Sequence, residues 1–460
     1  MVNHMPKLPP ELWLIIFRLA TSSPITYPSD SESAHYYYEP FQSHHETITA
    51  LSDAALRDKW AITLVCRQWH ALAGDMRYED IRIGHGIAAL HAALSEPAAA
   101  NSIVNGITDT DTNANTNTSS ESPPPSRHRV RRAVLPYAYT ATPTSHAPPA
   151  LALLALLPHL EVLVRPPLPP LSLPSPSQPP SSSSHSRTVI PIPTASLPSP
   201  SSPRFDFPTA APALPALRRL EWAFDETGAA SRAGGINSLR DTLIAAPNLS
   251  ELVLTGPIPF TGGRCLSLPA LRALHFQAGA GKSSYLMFQI TPWVMPMLDN
   301  IIVEGEVRAA VLEILCVTFG RQVRVMELEL GRGMSMNELG AISRICPALE
   351  EINLRIDVLL LDNYSPMDPS RFVHLVFFMH DALQRLGLYV DLDVREWSVE
   401  TWMALPEFVA QWKGCPALHQ VVLYVRNVEI AEQNPQFHLF REELSLSGRL
   451  LLLHSVRTLE

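Results

Sequence analysis

The feature that most restricts what this chain can fold into is a recurring segment close to the form Pro-x-Leu-x-x-Leu-x-Leu. It runs as Pro158-His159-Leu160-Glu161-Val162-Leu163, Pro215-Ala216-Leu217-Arg218-Arg219-Leu220, Pro247-Asn248-Leu249-Ser250-Glu251-Leu252-Val253-Leu254 and Pro269-Ala270-Leu271-Arg272-Ala273-Leu274-His275-Phe276. It continues as Pro296-Met297-Leu298-Asp299-Asn300-Ile301-Ile302-Val303, Pro347-Ala348-Leu349-Glu350-Glu351-Ile352-Asn353-Leu354 and Pro416-Ala417-Leu418-His419-Gln420-Val421-Val422-Leu423. Two copies lack the proline: Val325-Met326-Glu327-Leu328-Glu329-Leu330 and Leu383-Gln384-Arg385-Leu386-Gly387-Leu388. Beyond the first gap the period is roughly 22 to 35 residues, and units of that size bury their apolar face only by stacking on their neighbours. In each unit, alternate leucines fit a strand with one face in a stacked core, and the proline marks the end of the helix before it. Residues 242–246, 311–319 and 336–346 are expected to be such helices. The expectation is an irregular α/β solenoid with parallel strands, covering residues 131–460.

Composition sets the remaining boundaries. The chain has 460 residues, 46% of them hydrophobic, which is enough for sizeable cores. Its 43 prolines cluster, so part of the length is loop or linker. Residues 102–130, dominated from Ser102 to Ser126 by Asn, Thr, Asp and Ser, read as a disordered linker because few apolar groups offset the entropy of ordering. A Pro- and Ser-rich loop, about 166–212, falls inside the solenoid. A formal charge of -9 argues against nucleic acid as a partner, Arg127 to Arg132 notwithstanding. The first residues lack a secretion-signal plan, and the longest apolar run, Ala150 to Leu157, is far shorter than the ~20 residues that span a bilayer, so no membrane partner is expected. Five scattered cysteines, Cys66, Cys265, Cys316, Cys346 and Cys415, read as reduced core residues of a cytoplasmic or nuclear protein.

The N-terminal 85 residues form a separate helical unit. Pro9-Pro10 before Glu11 suits a helix start, and a helix from Pro10 to about Ala20 follows. Leu12, Ile15, Ile16 and Leu19 share one ridge of it, with Trp13 and Phe17 on a second. Residues 21–51 read as an inserted loop broken by Pro24, Pro28 and Pro40. Ser52 then caps a helix running through Ala73 to Gly74, with Ile62, Val65, Trp69 and Leu72 on one face, and a short element at 75–83 closes the unit. Taken alone, these are two amphipathic helices with more apolar surface than they can bury on each other.

Leu8-Pro9-Pro10-Glu11-Leu12, followed by Leu64-Val65-Cys66-Arg67-Gln68-Trp69, resembles an F-box, and the repeats resemble the irregular leucine-rich solenoids that follow F-boxes in mushroom-forming fungi. The departure is the 21–51 insertion, where a typical F-box has a few residues. The resemblance implies docking on the Skp adaptor and, through it, a cullin. Leu8, Pro9, Leu12, Ile15, Ile16, Leu64, Val65, Cys66 and Trp69 would form or support the docking surface, and the solenoid would capture a target protein. The chain would be a non-catalytic subunit of a ubiquitin ligase, acting by proximity; the alternative is an interaction scaffold outside ubiquitination. In leucine-rich solenoids the side chains between the core leucines line the concave face. Here these are Arg219, Glu221, Glu251, Thr255, His275, Gln277, Asn300, Glu304, Glu327, Glu329, Glu351, Asn353, Arg355, Arg385, Tyr389 and Tyr424. Glu221, Glu251, His275, Asn300, Glu327, Glu329, Glu351, Arg355, Arg385 and Tyr389 are the candidate target-binding residues, and their excess of carboxylates points to a basic or mixed partner surface.

Other motifs carry less. Gly279-Ala280-Gly281-Lys282-Ser283 resembles the end of a phosphate-binding loop, but the first glycine of that motif would fall at Phe276. Asp109-Thr110-Asp111-Thr112-Asn113 resembles the start of a calcium loop whose sixth position is Ala114 and twelfth Ser120. His35, His44, His45 and Glu46 are expected to be solvated, and Asp381, Asp391 and Asp393 to be loop carboxylates. No catalytic set stands out, and neither metal nor cofactor is expected.

Overall fold

The computed structural model describes residues 8–21, 40–41, 44–73, 76, 78–82, 87–95, 130–135, 153–165, 213–223, 239–256, 265–277, 290–306, 308–330, 336–356, 378–390 and 394–456. Each Pro-x-Leu segment among them closes a tight turn. The leucine N–H donates to the carbonyl three residues back: Leu217 to Leu214 at 3.2 Å, Leu249 to Ala246 at 3.2 Å, Leu349 to Cys346 at 3.1 Å and Leu418 to Cys415 at 3.1 Å. Proline occupies the second turn position, where its fixed φ is already correct. The leucine that follows points into the core, and the chain is extended two residues later.

Among the described residues the strands are β1 (Asp80–Arg82), β2 (Arg132–Val134), β3 (Val162–Arg165), β4 (Arg219–Ala223), β5 (Glu251–Thr255), β6 (Ala273–Gln277), β7 (Asn300–Glu306), β8 (Val325–Leu330), β9 (Glu351–Ile356), β10 (Arg385–Val390), β11 (Gln420–Val425) and β12 (Leu450–Ser455), of which β3, β4, β5, β6, β7, β9 and β11 follow such a turn. They form one twelve-stranded sheet whose order is the order of the chain. Every pairing is parallel. At each step from β1 to β11 one carbonyl just before a strand accepts from two successive amides of the next unit: Arg218 from Ser250 and Glu251, then Ser250 from Arg272 and Ala273, then Arg272 from Asp299 and Asn300. The helices are α1 (Pro10–Ala20), α2 (His44–Val65), α3 (Arg67–Ala73), α4 (Ile87–Ser95), α5 (Leu239–Ala245), α6 (Ala309–Phe319), α7 (Met336–Ile345), α8 (Val399–Ala410), α9 (Val428–Gln433) and α10 (Pro435–Leu446). The architecture is therefore α+β with parallel strands. A single apolar cluster runs from Ile81 to Leu451 along one face of the sheet, through Leu220, Trp222, Leu252, Phe276, Leu328, Leu354, Leu388 and Trp412.

Three expectations need correction. The helix expected from Ser52 to Ala73 is two helices, and the first begins at His44, inside the segment read as an inserted loop. It breaks at Cys66, whose Sγ accepts the Trp69 N–H at 3.4 Å and so caps α3. Secondly, the sheet starts within residues 75–83: Asp80, Ile81 and Arg82 pair with Arg132, Ala133 and Val134, so the N-terminal unit contributes the first strand. Thirdly, β12 was not foreseen, because Leu450 to Leu453 is a continuous leucine run without alternation or a leading proline. Residues 22–39, 42 and 43 of the insertion, the linker apart from Val130, the 166–212 loop, Gly279 to Ser283, Asp109 to Asn113, His35, Asp391 and Asp393 lie outside the described residues.

Candidate interaction surfaces

The N-terminal helices form their own small core from the aromatic ridge. Trp13 and Phe17 of α1 meet Trp69 of α3 at ring centroid distances of 4.9 and 4.8 Å, and Phe17, Ala73 and Met76 are buried with Ile62 and Leu72 packed against them. The other ridge of α1 has no such cover. Ile16 is 42% exposed, Leu12 45%, Ile15 50% and Leu19 73%, while Trp60, Leu64 and Val65 on α2 are half to three-quarters exposed. Of the nine adaptor candidates, Pro9, Leu12, Ile15, Ile16, Leu64 and Val65 thus face solvent; Leu8, Cys66 and Trp69 are half-buried. Trp69 supports the unit from within.

Ion pairs fasten this unit to the sheet. Lys59 Nζ lies 2.8 Å from Glu79, Arg82 pairs with Asp53, and Arg132 Nη1 lies 2.7 Å from Asp80. Burial of the Asp80 carboxyl raises its pKa above the ordinary value, and Arg132 and Lys59 oppose that rise only in part.

The sheet face opposite the leucine core carries three rows set by the strand register. One row passes through Arg219, Glu251, Ala273, Asn300, Val325, Glu351, Arg385 and Gln420. The central row passes through Glu221, Val253, His275, Ile302, Glu327, Asn353, Gly387, Val422 and Leu452. A third row holds Ala223 with Thr255, Gln277 with Glu304, and Glu329, Arg355, Tyr389, Tyr424 and His454. At Glu304-Gly305 the third row is interrupted by a bulge; Gly305 supplies the positive φ of 81° and donates its N–H to Glu329 Oε2 at 2.9 Å. The sixteen residues expected along the concave face all lie on these rows.

Their exposure departs from that expectation. Glu221, Glu251, His275, Glu327 and Tyr389 are buried, as are Arg219, Thr255, Asn353 and Tyr424; Asn300, Glu304, Glu329, Glu351, Arg355 and Arg385 are half-buried, and Gln277 is exposed. Charged side chains on these rows pair with one another, mostly between adjacent strands ~4.8 Å apart. Arg219 bonds Glu221 and Glu251 at 2.8 and 2.7 Å, Arg385 bonds Glu351 at 3.2 Å, Arg355 lies 3.9 Å from Glu329, and His275 Nε2 lies 3.2 Å from Glu304. The carboxylate excess is therefore mostly internal pairing, and it gives little basis for choosing a basic partner.

Towards the C-terminal strands the face becomes an aromatic pocket, and Phe41 enters it. Phe41 lies 5.3 Å from Tyr389, stacked, and 5.0 Å from Tyr424, edge-on. Val422 and Val456 complete the buried cluster, with Leu452 packed against it. The Phe41 N–H donates to Glu327 Oε2 at 3.1 Å across 286 positions of sequence. Arg355 sits over the Tyr389 ring at 5.2 Å, and His454 lies 5.3 Å from Tyr424. No signal in the insertion marks Phe41, because every partner that buries it is remote in the chain.

Burial pushes the Glu327 carboxyl up to about 8; the Phe41 N–H and Arg355 oppose the rise, and Glu351 adds to it. Its folded pKa thus lies above the ordinary carboxylate value of 4.5, so the folded state holds a proton that the unfolded chain has released between those two pH values. Stability against urea is expected to fall as pH rises from about 4.5 towards 8 and to level off beyond. Glu327→Gln removes that share of the slope. A wild-type pH profile that Glu327→Gln leaves unaltered would contradict the assignment.

Elsewhere the chemistry is quiet. A thiol contact with Cys346, and then burial, raise the Cys316 pKa well above the usual thiol value, and burial pushes Cys415 up to about 11, so neither supplies a thiolate at neutral pH. Among the described residues no group of three or more His, Cys, Asp or Glu is placed to hold a metal ion, and no helix is long and apolar enough to cross a membrane. Comparison with known proteins gives no match, either to a family model or to a curated protein.

Proposed function

We propose that the chain is a substrate receptor of a Skp–cullin–F-box ubiquitin ligase, with its N-terminal helices docking on the adaptor and a leucine-rich solenoid holding the target. The observation that carries the reading is the division of the α1 surface. Trp13 and Phe17 are used up in the internal core with Trp69, yet Leu12, Ile15, Ile16 and Leu19 stay exposed on α1, as do Leu64 and Val65 on α2. Apolar anchors presented together on a helix are what a desolvated interface uses. A sheet of parallel strands in chain order, seven of them entered through a Pro-x-Leu turn, is the scaffold a leucine-rich solenoid requires. Transfer would rest on proximity: the receptor raises the target's effective concentration beside the conjugating enzyme and needs no catalytic residue of its own.

Affinity capture with the Skp adaptor tests this. Wild type is expected to co-purify with the adaptor, and Ile16→Asp/Leu64→Asp to lose capture by more than about tenfold with an unchanged melting curve, since each charge would be buried unpaired at the interface. Wild type that fails to bind, or a double variant that binds as well as wild type, would leave the scaffold reading in its place.

A further inference from the structure

The aromatic pocket on the polar face of the sheet is a built recognition site with its occupant in view. Two tyrosines supply a face and an edge to one inserted phenyl ring, Val422 and Val456 line it, and Glu327 takes the backbone N–H of the residue that carries the ring. The pocket depends on a missing side chain. Gly387 lies between Asn353 and Val422 in the central row, and a Cβ there would sit 1.9 Å from Asn353 Oδ1 and 3.0 Å from the Tyr424 ring. Asn353 is fully buried, and its Oδ1 has no hydrogen-bond partner among the described residues, so the pocket floor holds an acceptor beyond what Phe41 uses. The occupant is held in an unfavourable backbone state: Phe41 has φ of 63°, a region that bulky L-residues avoid. A peptide able to present an aromatic side chain and N–H with relaxed backbone would bind the same groups without that penalty.

We propose that this pocket is the target-recognition site, that it takes an aromatic residue of an extended peptide segment, and that Phe41 of the insertion occupies it in cis as a plug the target displaces. The assignment of the pocket to target capture rests on the receptor reading above. The tether makes the plug effective even if its intrinsic affinity is weak. A short segment joins Phe41 to α2, so its effective concentration is on the order of millimolar, and a free peptide of similar affinity competes at a disadvantage of roughly tenfold. Selectivity follows from the walls: stacking and edge contacts favour a flat ring, and Glu327 requires a neighbouring backbone donor.

The test uses the full chain and a fluorescein-labelled peptide of residues 37–43, which includes Pro40 and Phe41, followed by anisotropy. Phe41→Ala protein is expected to bind the peptide about tenfold more tightly than wild type. A peptide with alanine in place of the phenylalanine, or protein carrying Phe41→Ala together with Tyr389→Ala and Tyr424→Ala, should lose that binding. A measurement on wild type keeps the idea exposed should Phe41→Ala fold poorly: excess unlabelled peptide should speed hydrogen exchange at the Phe41 amide, which the bond to Glu327 protects. Equal affinity for wild type and Phe41→Ala, binding that ignores the peptide phenylalanine, or exchange unaffected by peptide would each overturn the proposal. Adaptor capture run on the same preparations separates the two readings. Adaptor binding without peptide binding sinks the pocket alone, and peptide binding without adaptor binding leaves an aromatic-peptide site on a protein that is not a ligase receptor.

Discussion

Arg219→Met will lower stability to urea by about 3–5 kcal/mol, the usual result of removing one member of a buried charge network. The guanidinium reaches Glu221 Oε1 through Nε at 2.8 Å and Glu251 Oε1 through Nη1 at 2.7 Å, and all three side chains are no more than 6% exposed. Its loss leaves two carboxylates on adjacent strands of β4 and β5, withdrawn from water and without the cation between them. Replacing the whole group, as Arg219→Met/Glu221→Leu/Glu251→Leu, should cost far less, because desolvation of the ions is then relieved together with their attraction. Denaturation curves of both variants decide the matter. A loss under about 1 kcal/mol for the single change, or an equal loss for the triple change, would show that the charges are not what holds β4 to β5.

The second large effect is steric. Gly320→Ala is expected to cost about 3 kcal/mol or more, since overfilling a packed site forces backbone to move. The residue caps α6 with φ of -58° and ψ of -27°, values that alanine adopts freely, so backbone conformation is not the reason glycine stands there. Space is the reason. A Cβ would lie 2.4 Å from the Cys316 carbonyl oxygen, 2.7 Å from Cys346 Sγ and 2.8 Å from the Ile345 carbonyl oxygen at the end of α7. Two of those three are main chain and cannot swing aside. An alanine variant that melts with wild type would mean that α6 and α7 approach less closely than they do here.

How far the sequence discloses this depends on whether a residue's neighbours are near it in the chain. The proline turns and alternating leucines are local, and every copy of the repeat falls on a strand or the turn before it, including the two copies without proline. At Leu383 the turn is closed differently: the His380 ring accepts the Ala382 N–H at 3.2 Å and reaches the Cys346 carbonyl at 2.7 Å. The first two strands are three residues each, too short for alternation to register, and they hold together through Arg132 and Asp80, a pair separated by fifty-two positions. The face on which Glu221, His275 and Glu327 lie was readable from period two, yet their burial was not, because it depends on partners supplied by other strands. Phe41 is the extreme case: only the folded sheet reveals that a residue of the insertion lies between Tyr389 and Tyr424.

The chain-ordered sheet also bears on how this protein can vary. Since each strand pairs only with its predecessor and successor, the segment between two strands has one geometric duty, to bring its ends within reach of the same two ladders. Loop-closure entropy rises only as the logarithm of length, about 0.6 kcal/mol for each doubling. Residues 166–218 separate β3 from β4, yet Val162, Leu163 and Val164 meet Arg219, Leu220 and Glu221 in unbroken register. Long biased sequence can therefore accumulate between units at little thermodynamic expense, while the turn and the core leucines that follow it remain under full constraint. A scaffold of this kind separates the part of the chain that is free to drift from the part that must not.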